Sequence, residues 1–313
     1  MATEKRDTTV EQLIGVAKSA AVDRLVTEDD SRDAEVVGNV LTHVTDDGII
    51  TREAIDESVT DTAMILSTAE TRVELAGIAL EEARERAQSA PDVDSVRARL
   101  SAFESVVSGA EAQVESLGET NQRLSAWQRE SRSLYELVTG LRDVASGAQQ
   151  VTRVADDTQL EIEEFETWLT NHASRIRELT GDVDVLEQSL NGISETASQV
   201  DDGHASADAW FDASLRLRTV PLSIADARAE LDDVRTMAPE SASGDEMAEI
   251  ADRLDSLDGR ARAMESELDG VADDAWHEQY GERLESFEST LDSFETPVSW
   301  AAVQSELERA RQV

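Results

Sequence analysis

Apolar residues recur along most of this chain at alternating intervals of three and four, the spacing that lines one face of an α-helix with a continuous seam. The pattern begins at Leu66, Ala69, Val73, Ala76, Leu80, Ala83 and Ala87, and breaks at Ala90–Pro91. It resumes at Val96, Leu100, Phe103, Val107, Ala110, Val114 and Leu117. The frame shifts near Gly118 and Asn121, then continues through Leu124, Trp127, Leu134, Val138, Leu141, Ala145 and Ala148. The longest run joins Ile162, Phe165, Leu169, His172, Ile176, Leu179, Val183, Leu186, Leu190, Ile193, Ala197 and Val200. Read at face value it is one helix of roughly 55–60 Å, ended by Asp201–Asp202–Gly203. A further seam follows at Trp210, Ala213, Leu217, Val220, Ile224, Ala227, Leu231 and Val234, where Pro221 either kinks one helix or opens a second.

The stretch from Ala238 to Asp245 holds Pro, Ser and Gly and reads as a loop. Two more seams follow, Met247 to Val271 and Tyr280 to Phe294, and Pro297 precedes a last short helix. Strand-like alternation is nearly absent. The expected fold is therefore all-α: an elongated antiparallel helical bundle or coiled coil with a small N-terminal helical head. The head occupies 1–60, with short helical patterns at 9–26 and 32–44, a turn at Thr45–Thr51, and a helix capped by Thr51. The heptad-patterned bundle occupies 61–238, and a C-terminal helical hairpin at 246–313 packs on it. Seams rich in Ala, Val and Leu favour close, slender packing. The periodicity does not say whether a neighbouring helix or a second copy fills each seam, so self-association is the alternative to folding back.

Composition sharpens this picture. The 313 residues carry 68 acidic and 28 basic side chains, a net charge of −40. Only Lys5 and Lys18 are lysines, so 26 of the bases are arginine. The acids are spread evenly, which marks a solvated surface more than an interaction tail. At about 1 M salt the Debye length is about 3 Å, so such a surface suffers little self-repulsion. Few lysines, many arginines and excess acid together point to the cytoplasm of a salt-in halophilic archaeon. The same charge argues against nucleic-acid binding, which needs clustered bases. No cysteine means no disulfide, thiolate zinc site or cysteine nucleophile. No apolar run approaches the ~20 residues of a membrane span, and no basic-then-apolar leader is evident at the N-terminus. A protein without membrane insertion, cytoplasmic, is expected.

Chemical motifs are sparse. Placing Gly48 at position 6 of a calcium loop puts Ile50 at position 8, as such loops require, but positions 1, 3 and 12 then fall on His43, Thr45 and Ala54. Asp47 alone cannot supply six or seven oxygens, so a metal-free turn between helices is expected. His277–Glu278 starts a zincin pattern whose second histidine position holds Gly281; His43, His172 and His204 have no histidine one helical turn away. Neither lysine sits in a phosphate-binding loop. Carboxylate pairs are too common to single out an acid or base. No catalytic, cofactor-binding or metal-ligating residue is therefore assigned. Two polar residues fall in seam frames, His172 between Leu169 and Ile176, and Asn121. Each is a candidate for fixing register or, for His172, for a proton switch. Ala145–Gln150 has the first half of a chemoreceptor adaptation site, but Arg153–Val154 break the second half.

Two stretches carry a family likeness. One runs from Asp46–Asp47–Gly48–Ile49–Ile50–Thr51–Arg52–Glu53–Ala54 to the segment Thr68–Leu80; the other pairs Ala209–Trp210–Phe211–Asp212–Ala213 with Ala225–Leu231. Together they resemble a haloarchaeal group labelled "halo transducer protein". That resemblance implies signalling by a coiled-coil protein, although the membrane spans and kinase-contacting tip of true transducers are missing. The functional expectation is a non-enzymatic scaffold or signal-transduction adaptor that binds protein partners through helical surfaces. The alternative is a filament-forming or envelope- or chromosome-organising coiled coil.

Overall fold

A computed structural model describes residues 8–129, 132–201 and 206–312. Lys5, His204 and the expected helix end at Asp202–Gly203 lie outside them, as does the side chain of Val200. The fold is all-α, with 84% of the described residues helical. Among the described residues the eleven α-helices are α1 (Val10–Leu13), α2 (Lys18–Glu28), α3 (Ala34–Leu41), α4 (Arg52–Ala87), α5 (Asp94–Ser125), α6 (Leu134–Thr170), α7 (His172–Asp201), α8 (Ala207–Thr236), α9 (Asp245–Val271), α10 (Asp274–Leu291) and α11 (Trp300–Gln312). The chain forms two compact units, Met1–Arg84 with Ser101–Glu164, and Glu85–Leu100 with Phe165–Val313. These cut across the expected bounds of 1–60, 61–238 and 246–313. The helices α4, α5 and α6 each contribute to both units, so heptad phase alone gives no sign of the division.

In the first unit the N-terminal segments pack with residues of α5 and α6. Val10, Leu13, Leu25, Val37, Leu41 and Ile50 share one core with Leu124, Trp127, Leu134 and Leu141. The Val10 N–H donates to Arg132 O at 3.0 Å, fastening the head to the start of α6. Between α3 and α4 the chain makes a minimal hairpin, β1 (Thr45–Asp46) against β2 (Ile49–Ile50). Asp47 and Gly48 form its two-residue loop with φ of 46° and 79°. This is the Asp-Gly pair that a primed turn selects, because both positions need positive φ. The Ile50 N–H donates to Val16 O and the Gly15 N–H to Ile50 O, so the hairpin is welded to the approach to α2. Thr51 Oγ1 accepts from the Ala54 N–H at 3.1 Å and starts α4. Along α4 the seam is buried from Leu66 through Ala83. On α6, Gly147 lets Leu117 of α5 approach closely: a Cβ there would lie 3.0 Å from a Leu117 methyl.

The second unit is a bundle centred on α8. Arg253 of α9 donates to Asp184 of α7 at 2.5 Å, and Arg260 to Asn191, so α7 and α9 run parallel. Arg228 of α8 meets Asp255 of α9, while Trp210 Nε1 donates to Leu268 O, so α8 runs the other way. Phe211 stacks on Tyr280 and Arg218 meets Glu288, placing α10 parallel to α8. Arg311 donates to Asp212 and Trp300 to Asp226, placing α11 antiparallel. A helix with four neighbours must be apolar nearly all round, and α8 buries Trp210, Phe211, Ala213, Ser214, Leu215 and Leu217 within two turns. Of the expected bundle or coiled coil, this unit shows helices packed on several sides. Nine of the twelve aromatic residues fall in this unit, which gives it a thicker core than Ala, Val and Leu alone would build. Pro221 lies inside one continuous helix.

The longest predicted helix is interrupted. α6 ends at Thr170 and α7 begins at His172, with Asn171 between them. Asn171 Oδ1 accepts from the Ser174 N–H at 3.3 Å, as a capping side chain does. The seam spacing passes through this break without a flaw, which is why it reads as one helix.

Candidate functional site

At the break, the buried polar residue is Arg175 and not His172. Arg175 is 3% exposed and donates to Trp168 O at 2.7 Å, Leu169 O at 3.0 Å and Met237 O at 3.0 Å. Its charge is met by the carbonyl ends of α6 and α8, the negative poles of their dipoles, and burial lowers its pKa. His172 is the first residue of α7 and half-buried, and its Nδ1 finds no partner among the described residues. Asn121 lies half-buried on α5 in the other unit, with its Oδ1 likewise unpartnered.

One cluster combines a cavity with perturbed charges. Arg99, near the start of α5, stacks on the Trp168 ring at 4.4 Å and donates from Nη2 to Glu178 at 2.7 Å and Glu230 at 2.9 Å. Asp182, one turn beyond Glu178, stands at the mouth of a cavity of about 400 Å³ between α7 and α8, bounded by Val185, Val220, Asp226, Glu230 and Trp300. Asp226 accepts from the Val298 N–H and from Trp300 Nε1, both at 2.9 Å, and so anchors the start of α11. One guanidinium thus pairs with two carboxylates and acts through its charge on a third, Asp182. Burial pushes Glu230 up to about 7, with Asp182 and Glu178 adding to the rise and Arg99 opposing it. Asp182 is raised too, first by loss of solvent and then by Glu178. The cluster holds a proton near neutrality. Among the described residues no group of three or more His, Asp or Glu is placed to hold a metal ion.

The second feature is a surface. At 100° per residue, Met64, Thr68, Thr71, Leu75 and Ile78 fall within about 80° of arc on α4, opposite its buried seam. Met64 is 58%, Leu75 39% and Ile78 50% exposed. Thr68 donates its hydroxyl to Met64 O and Thr71 to Ser67 O, both at 3.0 Å. With those hydroxyls turned back onto the helix, the methyls are what the threonines offer outward. No charged residue lies on this ridge between Asp61 and Glu81, while Arg72 and Glu74 stand at its sides. The strip so formed, with three apolar residues and two threonines, is about 21 Å long.

Both features were beyond sequence reasoning for definite reasons. Arg99 and Glu230 are 131 residues apart, and neither stands out among so many acids and arginines. The ridge residues Met64, Thr68, Thr71, Leu75 and Ile78 share the three-four spacing of the buried seam, and spacing alone does not tell an outer face from an inner one. No protein-family model, curated protein or solved structure matches this chain. No described helix is long and apolar enough to cross a membrane.

Proposed function

We propose that this chain is a non-enzymatic scaffold or signal-transduction adaptor of a halophilic archaeal cytoplasm, working by binding a protein partner on an exposed helical face. The observation that carries the reading is the uncharged ridge of α4, Met64 to Ile78, on the face turned away from the core. Exposed apolar side chains aligned on one helix face are what a protein contact would bury. Two further features support it: the net charge of −40 with only two lysines, and the resemblance of 46–54 with 68–80, and of 209–213 with 225–231, to the haloarchaeal transducer group.

The test is a photo-crosslinking residue at Thr71, expressed at native level in molar-salt cells, with and without Met64→Glu and Ile78→Glu. A discrete protein adduct that vanishes with the charged ridge is expected. No adduct in either background, or one indifferent to the ridge, overturns the proposal. A ladder of self-adducts would support the filament reading in its place.

A further inference from the structure

We infer that the cavity between α7 and α8 binds an organic cation, a primary ammonium carried on a compact apolar body. The site lies wholly in the second unit and is independent of the α4 ridge. Its volume of about 400 Å³ is in the range of small-molecule sites. Because α7 and α8 are antiparallel, Asp182 and Glu230 stand at one end of it, Ser189 and Thr219 at the other, and Val185, Leu186 and Ala227 between them. Asp182 and Ser189 are seven residues apart, or about 10 Å of helix. Val185 and Trp300 line this space and are still 66% and 40% exposed. An apolar body laid along them removes that surface from water.

The polar lining decides the charge of the occupant. Thr219 and Ser223 donate their hydroxyls to Arg216 O at 2.7 Å and Thr219 O at 3.1 Å, so lone pairs are what they offer the cavity. Trp300 Nε1 is already given to Asp226. No lysine, arginine or histidine is among the lining residues, and Ser189 alone of the described lining side chains keeps a proton to give. Asp182 makes no hydrogen bond among the described residues, and only the charges of Glu178, Arg99 and Asp226 act on it. Arg99 is committed to Glu178 and Glu230. The acid end is thus short of both donors and positive charge, and an ammonium with three N–H groups supplies the two at once. Burial comes first among the causes that raise Glu230 to about 7 and Asp182 above its usual range, and a cation beside them offsets it. In molar salt a carboxylate is screened within about 3 Å and meets the bulk cation. The apolar wall is what selects an organic cation over an inorganic one.

The probe is 2-phenylethylammonium, titrated into the full-length protein in molar KCl and followed by ligand-observed NMR. A dissociation constant of about 1 mM is expected of so small a molecule. Two relatives separate the contributions: 2-phenylethanol keeps the body and loses the charge, and methylammonium keeps the charge and loses the body. Each should bind at least about tenfold more weakly. Asp182→Asn should bring the ammonium towards the alcohol, and Val185→Asn should weaken the ammonium as well. Both positions are exposed, so circular dichroism should show unchanged helicity.

No binding of the ammonium up to about 10 mM overturns the inference. Equal binding of the alcohol overturns the assigned charge, and equal binding of methylammonium overturns the apolar body. Binding indifferent to both substitutions places the ligand elsewhere and sinks the site. None of these outcomes touches the adaptor reading, which crosslinking at Thr71 decides by itself.

Discussion

Replacing Glu230 by glutamine should stabilise the protein in mild alkali and leave it unchanged in acid. In the fold Glu230 titrates at about 7, against 4.5 for the free side chain. A carboxyl with a raised pKa binds its proton more tightly folded than unfolded. Below 4.5 it is protonated in both states and stability is intact. Between 4.5 and 7 the unfolded chain has released the proton and the folded chain has not, so stability falls as pH rises; above 7 the loss is complete. The shift of about 2.5 units, at about 1.4 kcal/mol each, corresponds to ~3 kcal/mol. The attraction of Arg99 already acts on this titration and is contained in the figure. Relaxation of Asp182 once its neighbour is neutral reduces the gain, leaving about 2–3 kcal/mol as the expected difference between pH 8 and pH 4.5.

The assay is urea unfolding of wild type and Glu230→Gln at both pH values in constant molar KCl, followed by tryptophan emission. With a urea slope of about 2 kcal/mol per molar, the midpoint of the variant should move up by about 1 M at pH 8 relative to its position at pH 4.5. Using the difference between variant and wild type at each pH removes every other titrating group. A variant that is equally stable or equally weakened at both pH values would show that Glu230 does not carry the excess charge of the cluster.

Four other outcomes follow from the packing. Arg175→Met should cost at least about 3 kcal/mol in thermal or urea unfolding, because three buried carbonyls at two helix ends lose their donor, and Arg175→Lys should restore only part of it. Gly147→Val should cost about 2 kcal/mol by pushing Leu117 away, whereas Gly118→Ala, with open space at its Cβ, should gain up to about 1 kcal/mol; equal effects at the two sites would contradict the close approach of α5 and α6. Asp226→Ala should release the Val298 and Trp300 N–H groups, so limited proteolysis should cut earlier between 292 and 299, and unchanged cutting would show that other contacts hold α11. Helicity should rise steeply from dilute buffer to molar KCl, and a fold indifferent to salt would remove the solvent explanation of the charge.

The inner seams were legible because a helix that buries one face must repeat its apolar residues every three or four positions. Leu66 to Ala83, Met247 to Leu268 and Tyr280 to Leu291 are buried in the positions that this rule picks. The rule is blind to three things. It does not notice a break that keeps phase, as at Asn171, where capping by a side chain and by Arg175 replaces one turn of backbone bonding. It counts one face, so it reads α8 as a seam of eight residues although the helix is buried on several sides. And it says nothing of which distant helices meet, which is what assembles Arg99, Glu178, Asp182 and Glu230. His172 fell on the seam by spacing, yet the break shifts burial to Arg175, three residues on.

The arginine count also has a meaning in the packing. In the bundle around α8, single arginines repeatedly serve two acids on neighbouring helices or turns: Arg99 with Glu178 and Glu230, Arg253 with Asp184 and Glu187, Arg228 with Asp255 and Asp258. A planar guanidinium can do this and a lysine ammonium does it poorly. Each exposed pair contributes no more than about 1 kcal/mol, but the sharing lets 28 bases organise contacts among 68 acids. Surplus acid is then left to hydrate the remaining faces. Against that background a helix face without charge is not what solvation would leave behind. The ridge of α4 carries no charge between Asp61 and Glu81, which is why the proposed contact with a protein partner is placed there.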